Sequence, residues 1–331
     1  MNSIALSFET APDYKIDGGA DLHINYWKLP GNNIFRNEYN RFIDFGIKIN
    51  SPQKVNKVII DWPFKLEMFK DDNYFLDLSE TVSVSVDLLS SVFNENLTVE
   101  NMNSDHYKVK KDGEEFLHFI SLKNISQYEV NSNKLSINLS SFNSDTPLYF
   151  RFRIVLNKKI PLLRSTRNID DFLKSGFDRD EVFEILVNVI RSLDGSLKKT
   201  IIDKIPKPFN KIHIFFICSL NEKILITSDK YNSTRILEDS IWYKYLCADE
   251  KKSRKLLEKN KMFAYHWKLE NKSELSHLIY SRSSMNSVQT VFVYLIILIA
   301  ISVFANKLPD WASYIWDLIV LICTKIKVFL V

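Results

Sequence analysis

Residues 150–156 read Phe-Arg-Phe-Arg-Ile-Val-Leu, with apolar side chains at Phe150, Phe152, Ile154 and Leu156. Successive side chains of an extended strand point to opposite faces, so apolar residues at every second position describe a strand with one face in a core. The same period occurs upstream at Phe45, Ile47 and Ile49, and at Leu135, Ile137 and Leu139. Between Thr81 and Val86 it is strict, with Val82, Val84 and Val86 opposite Thr81, Ser83 and Ser85. Between Tyr107 and Ile120, Asp112-Gly113 supplies the positive φ angles of a tight hairpin turn. Strands at short intervals, parted by Asn, Ser and Asp turns, predict a β-rich N-terminal domain over residues 1–157, an antiparallel sandwich or open barrel.

The pattern changes after Leu156. Residues 157–167 form a basic connector containing Pro161, which marks the boundary to a smaller α+β unit over residues 158–282. A short helix is expected from near Asn168 to Gly176. A second is expected from Asp178, where Glu181 three places on gives a capping box. Phe183, Leu186, Ile190 and Leu193 would form its apolar face, widened by Val182, Ile185 and Val189. Beyond Pro206 and Pro208, Ile212–Leu220 and Lys223–Thr227 read as a hairpin around Asn221-Glu222. A mostly helical stretch from Leu237 to Lys259 follows, and then a strand carrying Phe263, Tyr265, Trp267 and Leu269.

Residues 283–331 differ in kind. From Ser283 to Asn306 no residue is charged, and Val288–Ala305 is mostly aliphatic and aromatic. At about 1.5 Å per residue this segment extends roughly 27 Å, close to the hydrocarbon thickness of a bilayer. A polar turn, Asn306–Asp310, separates it from a second apolar segment, residues 311–331. The two predict a C-terminal transmembrane helical hairpin. Trp311, Tyr314 and Trp316 have the composition of an interfacial aromatic belt. Lys268, Lys272 and Arg282 before the first span, with Lys325 and Lys327 closing the second, predict the soluble domains and the C-terminus on the cytoplasmic side.

Composition excludes several function classes. The formal net charge is only +4 and is dispersed, which disfavours nucleic acid as a partner of the whole chain. Three cysteines, Cys218, Cys247 and Cys323, make neither a disulfide framework nor a zinc spacing, and read as buried reduced thiols. The seven glycines give no Walker loop, dinucleotide fingerprint or kinase loop, so nucleoside-triphosphate and nicotinamide chemistry of familiar kinds is not expected. The six histidines show no metal spacing, and there is no Gly-x-Ser-x-Gly elbow. No catalytic residue, cofactor or metal is expected.

Three groups of residues remain as functional candidates. In the second apolar segment Ser313, Asp317, Thr324 and Lys327 fall on one side of a helix, a polar stripe that associated copies could turn towards one another. The basic run Lys251, Lys252, Arg254 and Lys255 follows Trp242, Tyr243 and Tyr245, and suggests a surface for anionic lipid or a small anionic ligand. The membrane anchors are Trp311, Tyr314 and Trp316. No family motif is present. In architecture alone, a cytosolic sensing unit joined to a two-span module resembles the membrane effectors of bacterial anti-phage defence. That resemblance implies a non-enzymatic protein of a bacterial inner membrane that senses a protein or small anionic ligand, forms homo-oligomers, contacts membrane lipids and permeabilises the bilayer. The alternatives are a membrane-tethered adaptor, whose hairpin only anchors, and an enzyme with dispersed catalytic residues.

Overall fold

The computed structural model describes residues 3–11, 19–30, 41–64, 75–78, 86–103, 106–122, 129–131, 133–142, 144–156, 162–166, 179–195, 197–199, 209–246, 250–283 and 287–329. Residues 81–85 of the strand expected over Thr81–Val86, the helix at 168–176, and residues 157–161 and 167 of the connector lie outside them; Val86 instead begins a helix, and Leu163–Thr166 of the connector is a strand. The chain divides into two units, one made of Met1–Thr166 and Asp180–Arg282, the other of Arg167–Arg179 and Ser283–Val331.

The first unit is β-rich. Among the described residues, its largest sheet runs in the order β16 (Ser233–Ile236), β17 (Met262–Lys272), β14 (Phe209–Ser219), β2 (Ala20–Lys28), β3 (Arg41–Ile49), β11 (Leu148–Val155), β8 (Glu114–Ile120), β7 (His106–Lys111) and β6 (Leu97–Asn103), with β5 (Phe75–Asp77) also paired to β11. A second sheet is ordered β1 (Ala5–Thr10), β4 (Val55–Asp61), β10 (Lys134–Asn138) and β9 (Glu129–Asn131). A third is ordered β12 (Leu163–Thr166), β13 (Arg179–Val187), β18 (Leu275–Ser283) and β15 (Glu222–Thr227). Helices α1 (Val86–Phe93), α2 (Asp239–Leu246) and α3 (Glu250–Lys259) complete the unit.

Period-two patterning gives the large sheet two unlike faces. On one, Leu22, Ile24 and Tyr26 of β2, Phe45 and Ile47 of β3, Phe150, Phe152 and Ile154 of β11, and Ile212, Ile214 and Phe216 of β14 join a single core. That core also takes Val58 and Ile60 from β4, Leu135 and Ile137 from β10, and Phe183 and Ile185 from β13, so both small sheets cover this face. On the other face Trp27, Phe42, Tyr149 and Ile217 meet Leu88 and Leu89 of α1, Trp242 and Tyr245 of α2, and Leu257 of α3.

The alternating strands at Phe45–Ile49, Leu135–Ile137 and Phe150–Ile154 form as their patterns predict. So does the hairpin of β7 and β8, with Asp112 at φ 52° and Gly113 at φ 87°. Four expectations are corrected. The helix expected from Asp178 is not found among the described residues: Arg179–Val187 is a strand paired with β12. Glu181 is not a cap but a buried partner of Lys28, at 2.9 Å, and of Arg41. The strands flanking Asn221-Glu222 are not hairpin partners, because β14 pairs with β2 and β17 while β15 joins the third sheet. The boundary at residue 157 does not separate two cores: β14 lies parallel to β2, matched from Lys211–Asp21 to Cys218–Lys28. A strand at the edge of an N-terminal sheet exposes unpaired N–H and C=O groups, and a later strand satisfies them.

The second unit contains α4 (Ser287–Phe329), a helix of 43 residues. It runs unbroken through Asn306–Asp310, where the sequence predicts a reversal. That pentapeptide has Pro309 but no glycine to close a C-cap, and a proline alone bends a helix rather than reversing it. Among the described residues no helix is long and apolar enough to cross a membrane. Within the apolar run 288–305 the side chains of residues 288–291 and 293 lie outside the described ones.

Candidate functional site

A cleft of about 500 Å³ opens on the helix-covered face of the large sheet. Strand register builds its floor in cross-strand rows. One row runs Lys211, Asp21, Lys48. The next runs Lys268, His213, His23, Gly46, Arg151. A third runs Ser233, His266, Phe215, Asn25, Asp44, Arg153. Each strand contributes its odd or even residues to this face, so polar groups far apart in sequence stand side by side. Val92 and Phe93 at the end of α1, with Asn94 and Glu95 beyond it, form one wall, and Phe116 of β8 and Arg235 of β16 also line the cleft.

The lining is basic. Lys48, Lys211, Lys268 and Arg235 face Asp21 and Glu95, four cations against two carboxylates. Lys268 also meets Glu270 at 2.6 Å, and its side chain is 37% exposed. Asp21 is engaged by the backbone N–H of Lys211 and by Asn210 Nδ2, each donating at 3.1 Å. Burial lowers the pKa of Lys48, partly offset by Asp21.

Three histidines crowd the centre. His213 Nδ1 lies 3.0 Å from His266 Nε2, and their rings are stacked. His266 stacks in turn on Phe215, centroids 4.3 Å apart, and the ring of His23 lies 5.0 Å from that of His213. Burial is the main cause that drives His213 and His266 down to about 4, with nearby cations adding to it. His23 is likewise held well below the ordinary range, first by burial and then by His213 and Arg151. At neutral pH all three are therefore neutral rings, each able to donate one hydrogen bond and accept another. Among the described residues no group of three or more His, Cys, Asp or Glu side chains is placed to hold a metal ion.

Under the cleft lies a buried charge network. Asp44, fully buried, accepts from Arg153 Nε at 2.7 Å, Trp27 Nε1 at 2.8 Å and Tyr245 Oη at 2.7 Å. Arg153 Nη1 also donates to the carbonyls of Tyr245 and Leu246 at 3.0 Å, satisfying the C-terminal end of α2. Arg151 donates from Nε to Tyr245 Oη at 2.6 Å and from Nη1 to Tyr149 Oη at 3.0 Å. Gly46 makes room for this, since a Cβ there would lie 2.1 Å from Tyr149 Oη.

The residues singled out from sequence are distributed differently. Trp242 and Tyr245 are both buried, because the apolar face of α2 is the side that meets the sheet, and Trp242 also lines a small recess adjoining the cleft. Lys251, Arg254 and Lys255 are exposed on α3 away from the cleft lining, and Arg254 covers the ring of Tyr243 at 4.6 Å. The side chain of Lys252 lies outside the described residues. In α4, Ser313, Asp317, Trp311, Tyr314 and Trp316 are exposed, while the side chains of Thr324 and Lys327 lie outside the described residues. Cys218 is buried in the core, which pushes its thiol pKa up.

Sequence reasoning missed Lys48, Lys211, His213, His266 and Lys268 as a group. The signal was present as polar residues at period two inside strong strands, Lys211 with His213 and His266 with Lys268. No protein-family model matches this chain, and no curated protein does.

Proposed function

We propose that this chain is a membrane-anchored, non-enzymatic receptor whose sandwich-like β unit takes up an anionic small molecule in the cleft between α1 and the large sheet. The observation that carries this reading is the cleft itself. Its volume of about 500 Å³ falls in the range of small-molecule sites, roughly 300–1,000 Å³. Its excess of cations over carboxylates calls for a ligand of negative charge, and its phenylalanine and imidazole rings offer flat faces to a planar group.

The C-terminal unit supplies the output in this reading. Large apolar side chains along α4 are exposed, Phe292, Leu298, Ile299, Phe304 and Trp311 among them, and such a surface is stable against lipid rather than water. A straight helix of this length extends about 64 Å, roughly twice the hydrocarbon thickness. In this reading the helix, continuous here, opens near Asn306–Pro309 on entering a bilayer to give two spans, and ligand-driven association of copies gathers the stripe containing Ser313 and Asp317. The test uses the full chain in detergent micelles, with inorganic tripolyphosphate as the probe in calorimetric titration. Saturable binding that Lys48→Gln and Lys211→Gln each weaken about tenfold, a loss of one charged contact, supports the receptor reading. Absence of saturable binding removes it.

A further inference from the structure

Strand β15 (Glu222–Thr227) ends the third sheet: β18 lies on one side of it, and among the described residues no strand lies on the other. Ser228, just past its end, donates its backbone N–H to the Leu278 carbonyl of β18 at 3.1 Å. Along a strand the N–H and C=O groups of successive residues alternate in direction. Those of Ile224 and Ile226 therefore point to β18, as at Ser228, and those of Lys223, Leu225 and Thr227 point away from it, along the free edge.

The side chains here are those that a guarded edge avoids. Leu225 and Ile226 are 44% and 57% exposed, and Leu220, just ahead of the strand, is 63% exposed. No charge interrupts Ile224–Thr227. Of the two charged residues at its start, Glu222 is buried and paired with Lys28, which leaves Lys223 at the surface. Edges are ordinarily blunted by lysines, prolines or bulges, and an apolar edge without them is a template for another strand. The edge of β1 is closed in a different way. There the side-chain amide of Asn188 takes both backbone groups of Leu6, at 2.8 and 3.1 Å, and Ile4 donates to the Leu186 carbonyl.

Symmetry restricts the partner. Two identical strands pair antiparallel about a two-fold axis perpendicular to the sheet, which keeps each face on its own side. A residue then meets one of the same parity, so the register centres on a residue and not between two. Centring on Leu225 engages every outward backbone group of the strand: Leu225 meets itself, and Lys223 meets Thr227. Ile224 then stands opposite Ile226, apolar against apolar, and no like charges are opposed. A second copy thus matches this edge along its length, side chain and backbone alike.

We propose that β15 is the contact through which two copies of this chain associate, the third sheet of one continuing antiparallel into that of the other with Leu225 at the two-fold axis. No residue of β15 lines the cleft, so this contact stands apart from the anion-receptor reading and supplies the association of copies that its output requires.

The experiment uses the full chain in detergent micelles, with and without inorganic tripolyphosphate, and reads protein mass by light scattering and proximity by a short bis-maleimide crosslinker. The wild-type chain is expected to form dimers. Leu225→Cys is expected to give covalent dimer above the wild-type background. Leu220→Cys is expected to give about fivefold less, since at about 3.3 Å per residue its two copies would lie roughly 30 Å apart. Leu225→Pro removes an N–H that β18 does not use and is expected to leave a folded monomer, with unchanged far-UV circular dichroism. A wild-type chain that is monomeric under both conditions overturns the proposal, and so does a dimer that Leu225→Pro leaves intact. Should Leu225→Pro fail to fold, Leu225→Lys, which opposes like charges across the axis, decides in its place. Tripolyphosphate affinity separates the two readings: a β15 dimer without binding removes the receptor alone, and binding by a monomer removes this contact alone.

Discussion

Gly46 and Asp44 are neighbours on one face of β3, and the site depends on each for a different reason. At Gly46 the requirement is space: its missing side chain lets the hydroxyl of Tyr149 stand where a Cβ would be, and so lets Tyr149 hold Arg151. Gly46→Ala is expected to displace that ring, costing about 1–3 kcal/mol in urea denaturation and weakening ligand binding with it. At Asp44 the requirement is charge. Asp44→Asn leaves Arg151 and Arg153 buried without a counter-ion, which should cost about 3–5 kcal/mol. Truncating the exposed Arg254 should change stability by less than about 1 kcal/mol, so a melting comparison of the two variants separates network from surface. Neither role was legible in the chain. Asp44 looks like any acidic residue on the open side of a strand, and its partners at Trp27, Arg153 and Tyr245 meet it only through folding.

The elements were legible wherever one face is apolar and the other polar. β3, β10 and β11 keep strict alternation, and the β7–β8 turn has its Asp-Gly signature. β13 was not, because apolar residues stand on both its faces: Phe183, Ile185 and Val187 share with Glu181 the face that enters the core, while Val182 and Leu186 stand on the other. With acids at its start and apolar residues on both sides, the segment mimics a capped helix; Val182, Ile185 and Val187 are β-branched and fit a pleated sheet better. α4 poses the opposite problem, since large apolar side chains along it are exposed. In the effector reading Asp317 faces copies of itself. Asp317→Leu is expected to abolish dye leakage from vesicles carrying the full chain while leaving the amount of bound protein unchanged. Equal leakage from variant and wild type would leave the helix as an anchor only.

Across the whole molecule the histidines couple fold, ligand and pH. Burial is the first cause that lowers the pKa of His213, His266 and His277 to about 4, from the ordinary histidine value of about 6.5. The unfolded chain therefore binds more protons than the folded one between those values. Their contribution to stability is fully present above about pH 6.5 and is lost as pH falls towards 4. Thermal melting should decline through that window. A bound polyanion favours protonated His213 and His266, so tripolyphosphate should raise the melting temperature more at pH 5 than at pH 7.5, measured at equal concentration. The membrane reading has its own test at this scale: the full chain should sediment with vesicles, and a chain ending at Arg282 should stay in the supernatant. By itself the amino-acid sequence determined the β-rich character, the strands whose two faces differ, and the apolar C-terminal tail, because these follow from side-chain period and composition along a short window. Only the tertiary structure decided that β14 docks beside β2 and that His23, His213 and His266 share one cleft. Such contacts join residues nearly two hundred positions apart, and strand order is chosen by the burial and hydrogen bonding of the entire sheet, which no local window contains.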